Sequence, residues 1–139
     1  MFLDLSQPKQ AHINERLRAE PVIWLATVRP DGRPHLVPVW FLWDGETILI
    51  FSQPNNQKIH NLRANPAVTL ALEAANEGED VAILEGTARL VSPDDIQASV
   101  PAYVAKYEAG MGELGMTWET MSASYSQPIR VTPSRLVTW

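Results

Sequence analysis

The chain has 139 residues, of which 45% are hydrophobic and 19% charged, with a formal net charge of −5. That balance supports a buried core and excludes a disordered chain. The acidic surplus argues against a general nucleic-acid binder, and the lack of any cysteine excludes disulfides and thiolate metal sites, as in many cytoplasmic proteins. The opening Met1-Phe-Leu-Asp-Leu-Ser6 lacks the basic and long apolar regions of a signal peptide, and no apolar run approaches a membrane span. A single cytoplasmic domain over residues 1–139 is expected.

Residues 6–19 read as a helix capped by Ser6, with Pro8 in the first turn and a thin apolar stripe of Ile13 and Leu17. The apolar run Val22–Val28 reads as a strand buried on both sides. Arg29-Pro-Asp-Gly-Arg33 is a turn, and His35–Trp43 is the returning strand. Pro34 and Pro38 should cost it ladder bonds, which points to an edge, a bulge or a place where a ligand replaces a partner strand. Asp44-Gly45 signals a second hairpin, and Thr47–Ser52 completes a three-stranded meander.

Phe51–Pro66 reads as a strand end, a polar turn and a short helix. Pro54 stops the strand, Asn55 or Asn56 caps the helix, and Ile59 and Leu62 share its core face. Lys58 stands in the first turn, where the helix dipole disfavours a cation unless an anion lies beside it. Free amides, amide side chains and this lysine together would cradle a phosphate. Asn61 lies three residues on, on the adjoining face. An ordinary surface helix with a solvated lysine accounts for the same residues.

Pro66–Glu73 is a fourth strand, with Val68, Leu70 and Leu72 on one face. After a turn at Asn76–Glu79, Val81–Val91 is a fifth, its apolar side formed by Ala82, Leu84, Gly86, Ala88 and Leu90. Ser92-Pro-Asp-Asp95 starts a helix that Pro101 kinks or restarts. Gly110, Gly112 and Gly115 suggest a loose connection, Trp118, Met121 and Tyr125 one face of a short helix, and Pro128–Trp139 a last strand. Six antiparallel strands with these helices point to a mainly β fold, a small closed barrel with helices over its ends; an open α+β sandwich is the alternative. His12, His35 and His60 lack metal-ligand spacing, so no metal site is expected. A bulky terminal aromatic is costly to expose, so Trp139 is assigned to a subunit or cofactor contact, and the other four tryptophans to core or seam.

Three segments keep a shared order: Trp24-Leu-Ala-Thr-Val-Arg-Pro-Asp-Gly-Arg-Pro-His-Leu-Val-Pro-Val-Trp-Phe41, Gln57-Lys-Ile-His-Asn-Leu-Arg-Ala-Asn-Pro-Ala-Val68 and Val81-Ala-Ile-Leu-Glu-Gly-Thr-Ala-Arg-Leu-Val91. Together they resemble the pyridoxamine 5′-phosphate oxidase-like, FMN-binding split-barrel proteins, and above all their branch of deazaflavin-dependent oxidoreductases. The resemblance implies a six-stranded antiparallel split β-barrel and a homodimer with cofactor sites at the subunit interface. It implies FMN or a deazaflavin (coenzyme F-420) as cofactor. The ring would lie against Val37, Pro38, Val39 and Trp40, and Ser52, Gln57 and Lys58 would hold the ribityl chain and phosphate, with Asn61 close by. The closing segment would carry Trp139 to the partner's cofactor. The substrate-phosphate arginines of the true pyridoxamine phosphate oxidases have no match, which points away from vitamin metabolism. The implied activity is hydride transfer to or from a small, aromatic or quinone-like substrate, with no catalytic acid or base from the protein. The alternative is a non-catalytic flavin- or haem-binding carrier of the same fold.

Overall fold

The computed structural model describes residues 2–139. The elements run α1 (Pro8–Ala19), β1 (Ile23–Val28), β2 (Pro34–Val39), β3 (Leu42–Trp43), β4 (Ile48–Ser52), α2 (Gln57–Ala64), β5 (Ala67–Ala71), β6 (Ala82–Leu90), α3 (Val100–Glu113), α4 (Trp118–Ser124) and β7 (Gln127–Thr138). Short 3₁₀ turns lie at Asn76–Gly78 and Pro93–Ser99. No helix among the described residues is long and apolar enough to cross a membrane.

The strands form one antiparallel sheet in the order β2-β1-β5-β6-β7-β4-β3. Its two edges, β2 and β3, are separated in the chain only by Trp40 and Phe41. Laid flat, seven strands would hold those edges about 29 Å apart at ~4.8 Å per strand. The link from Val39 to Leu42 can reach at most about 11 Å. The sheet therefore has to curl until its edges face each other without pairing. The result is a split barrel, mainly β with flanking helices.

The expected count of six strands becomes seven because His35–Trp43 is two strands. β2 pairs with β1 as far as Val39, opposite Ile23, and β3 pairs with β4 from Leu42, opposite Leu49. Trp40 and Phe41 belong to neither ladder. β1 is also not buried on both sides: Ile23, Leu25 and Thr27 face the core, while Trp24, Ala26 and Val28 are half-buried on the outer face.

The barrel core is aliphatic. Ile23, Leu25, Ile48, Ile50, Leu70, Ile129 and Val131 are fully buried, and each such side chain contributes about 1.5–3 kcal/mol. Ile13 and Leu17 of α1 and Ile59 and Leu62 of α2 join the same cluster. Ser6 does not cap α1. Gln7 holds the cap position, and Asp4 organises the turn before it, accepting from Ser6 N at 3.0 Å and Ser6 Oγ at 2.6 Å. Asp80 fastens α1 to the barrel, with Arg16 Nη1 at 3.1 Å and His12 Nε2 at 2.6 Å.

Gly110 and Gly112 lie inside α3 and do not loosen it. Tyr103, Tyr107 and Met111, each four residues on from the last, bury one side of that helix. Tertiary burial here overrides glycine's poor helix propensity. Gly115, at φ +68°, closes the helix with the 6→1 bond Met116 N to Met111 O and the 5→2 bond Gly115 N to Gly112 O.

α3 closes the split. Tyr107 Oη accepts from Phe41 N at 2.8 Å and donates to Pro21 O at 2.7 Å, and Lys106 Nζ donates to Phe41 O at 2.8 Å. The ammonium also sits 3.8 Å above the Phe41 ring. Removing the phenol oxygen would strand the buried Phe41 amide. Tyr107→Phe should therefore cost about 1–3 kcal/mol in denaturant unfolding, and an unchanged midpoint would show that the seam does not depend on it.

Burial draws the Lys106 ammonium down to about 8. Between that pH and the ordinary lysine range the unfolded chain binds a proton that the folded chain releases, so this residue's contribution to stability rises with pH. Compared with Lys106→Met, the wild type should gain stability between about pH 7 and about pH 10. A stability difference that ignores pH would contradict that.

Candidate functional site

The split leaves a cavity of about 350 Å³. Pro38, Val39 and Trp40 line it from the end of β2, Phe51 from β4, Tyr103 from α3, Met116, Met121 and Tyr125 from the segment around α4, and Lys58 from the first turn of α2. Sequence analysis did not single out Phe51, Tyr103 or Met116 for this role. The four-residue spacing of Tyr103 and Tyr107 was a usable signal; Met116 gave none, because its place depends on how α3 ends.

The free edge of β2 borders this space. Arg29 N donates to Arg33 O at 2.9 Å, so residues 29 and 33 are a hydrogen-bonded pair. Pairs alternate along an antiparallel ladder. Thr27/His35, Leu25/Val37 and Ile23/Val39 are therefore the bonded pairs, and Pro34, Leu36 and Pro38 turn their backbone groups outward. The prolines, expected to cost ladder bonds, cost none: their missing N–H groups fall on the open side. That side offers the carbonyls of Leu36 and Pro38 and a single amide, from Leu36. The Pro34 carbonyl is taken by Arg29 Nη1 at 2.7 Å.

The start of α2 also departs from expectation. Asn56 holds the cap position, but its side chain makes no cap bond. Its Oδ1 lies 3.0 Å from Ser52 Oγ instead. Among the described residues, the backbone N–H groups of Gln57 and Lys58 find no protein acceptor; the intrahelical bonds begin at Ile59 and His60, both to Asn56 O. Beside these two amides lies a polar notch of Gln53, Pro54, Asn55, Asn56 and Ser124.

Lys58 is half-buried, and burial lowers the pKa of its ammonium with no carboxylate nearby to offset it. His35 is pushed below the usual imidazole range by burial first, then by the charges of Arg29 and Lys58. Its Nδ1 is buried without a partner. A half-buried cation without a counter-ion and two free amides make this corner electropositive and able to accept an anion.

The nine residues implied by resemblance fall into four places. Pro38, Val39, Trp40 and Lys58 come together around the cavity. Ser52, Gln57 and Asn61 do not line it and instead brace the start of α2: Ser52 Oγ donates to Asn56 Oδ1 at 3.0 Å, Gln57 Nε2 to Asn61 Oδ1 at 2.8 Å, and Asn61 Nδ2 to Thr27 Oγ1 at 2.9 Å. Asn61 and Ser52 are fully buried, so Asn61 braces the first turn of α2 against β1. Val37 pairs with Leu25 on the inner face and is not in the cavity wall. Trp139 stands apart at the end of β7, 61% exposed, its Nε1 donating to Gly78 O at 2.7 Å.

Comparison with protein families matches residues 10–138 to pyridoxamine 5′-phosphate oxidase. Among solved structures, an F420 reductase is 28% identical with a TM-score of 0.68, covering 88% of this chain and 94% of its own. A conserved hypothetical protein from Mycobacterium tuberculosis is 26% identical with a TM-score of 0.74, covering 99% and 86%. A FAD-binding protein from Mesorhizobium loti, 19% identical with a TM-score of 0.69 over 91% and 90%, shares the fold. The chain belongs to the pyridoxamine 5′-phosphate oxidase family.

Proposed function

We propose that this chain is a flavin- or deazaflavin-dependent oxidoreductase that passes hydride between that cofactor and a small apolar substrate. The observation that carries the reading is the cavity at the split. Among the described residues lining it, Lys58 alone is charged, and it stands beside the two free amides of α2. A planar ring joined to a phosphate matches this pairing of apolar walls with one anion-seeking corner.

The bound cofactor would supply the hydride chemistry itself. The chain's own residues would bind, orient and exclude water. Lys58 and the amides of Gln57 and Lys58 would hold the phosphate, with Ser52, Gln57 and Asn61 fixing that turn. Pro38, Val39 and Trp40 would support the ring, with Val37 behind them on the inner face of β2, the edge carbonyls of Leu36 and Pro38 accepting from its N–H groups. Phe51, Tyr103 and Met121 would keep water out. Burial pushes the Tyr103 phenol well above its usual range, so it stays protonated. The 28% identical F420 reductase favours a deazaflavin.

Calorimetric titration of the apo-protein with FMN and with coenzyme F-420 tests the reading. One of them should bind, and Lys58→Ala should weaken it by about 1.5–3 kcal/mol, the range for a hydrogen bond to a charged group. Equal affinity in the variant removes the phosphate assignment. Tight binding without turnover of a model quinone would favour the carrier.

The outer face of the sheet supports a homodimer. Pro38, Trp24, Ala71, Ile83 and Val137 lie side by side in register across β2, β1, β5, β6 and β7. Leu36, in the next row, is 60% exposed. A continuous apolar row of this kind calls for cover, and a second copy, with Trp139 reaching across, would provide it. Ile83→Arg should turn a sedimenting dimer into monomer; an unchanged species would rule this face out.

A further inference from the structure

Trp40 lies where the chain crosses the split, and α3 fixes its position on two sides. Its indole stacks on the Tyr107 ring, with centroids 4.4 Å apart and planes 4° from parallel. Three residues further along the helix, Gly110 meets the indole edge. A Cβ placed on Gly110 would stand 3.3 Å from Trp40 Cη2 and 3.5 Å from Cζ2. Gly110 lies within α3, five residues before Gly115 closes it, at a position that has no positive φ to require glycine. Glycine is among the poorest helix formers, so its presence there calls for another reason, and the room it leaves for the indole supplies one.

The Tyr107 ring closes one side of Trp40, and the Phe41 backbone, held by Tyr107 and Lys106, closes another. The open side is the cavity that Trp40 lines. An indole yielding to a Cβ at Gly110 would shift by a few tenths of an ångström, and the cavity is the side left open to it.

We infer that Gly110 is a specificity-determining position: by carrying no side chain it sets where Trp40 stands, and so how thick a planar ligand the cavity admits. This rests on the reading of the cavity as a ring site. Gly110 touches no ligand itself and acts through Trp40.

A double-variant cycle tests it. Wild type, Gly110→Ala, Trp40→Phe and the double variant are titrated with FMN and coenzyme F-420, and separately with naphthalene-2-sulfonate, a planar aromatic anion that would use the cavity and Lys58 but no flavin chemistry. Gly110→Ala should melt at or above the wild-type temperature, as a glycine replaced within a helix does. It should nevertheless bind planar ligands about tenfold more weakly, the discrimination one methylene gives in an apolar pocket. Trp40→Phe removes the benzo ring carrying Cη2 and Cζ2, so adding Gly110→Ala to it should change affinity less than about twofold, a non-additivity that a merely structural glycine would not produce. Gly110→Ala binding like wild type, or losing the same factor in both backgrounds, overturns the inference. If the naphthalene probe follows the expected pattern and neither nucleotide binds wild type, the cofactor reading fails and the role of Gly110 stands. If the wild type binds none of the three, both fall.

Discussion

Two residues, Trp40 and Phe41, have to join the first strand of a seven-stranded sheet to the last. That short reach dictates the curl, and it also prevents closure. The chain turns from one edge to the other without running beside either, so no ladder forms across the gap. The seam is held by side chains from α3 instead, through the Phe41 amide and carbonyl. A barrel closed by strand pairing would have no space at this place. The cavity follows from how the sheet is joined, and α3 and α4 serve as both seam and cover.

Against that aliphatic barrel, the first turn of α2 is unusual in what it leaves unmet. Two separate sets of hydrogen bonds hold the turn, Ser52 to Asn56 on one side and Gln57 to Asn61 to Thr27 on the other. Lys58 and two amides are left over. Burying a cation with no counter-ion costs stability, and the rigid layer beneath keeps the turn from relaxing to repair it. Such a local debt, held in place by a well-satisfied surround, is what a preformed anion corner requires.

Much of this was legible in the residues, and the losses have physical causes. The alternation of Val68, Leu70 and Leu72 placed β5 because its two faces differ in burial. Pro34 and Pro38 marked β2 as an edge because proline lacks a donor; the parity of the ladder, which spares the bonds, shows only once the turn at residues 29–33 fixes the register. The break at Trp40 and Phe41 left no sign, since an uninterrupted apolar run fits one strand as well as two. Gly110 and Gly112 read as a loose loop because local propensity says nothing of the tyrosine face that holds α3 together. Asn56 reads as a cap by residue type, but Ser52, brought close by the strand end, competes for its oxygen. The site split along the same line: the segment carrying Lys58 was visible, whereas the helical cover depends on contacts far apart in sequence.

A seam made of side chains also differs from a strand pair in how it opens. Parting β2 from β1 would break a ladder over six residue pairs, a cooperative event close to unfolding. Parting the split asks for the release of the Phe41 peptide unit from a phenol and an amine and of the Trp40 indole from the Tyr107 ring, side-chain contacts with no ladder among them. The stretch of this barrel's wall held by side chains alone is also the stretch that borders the interior space where a guest would have to enter and leave.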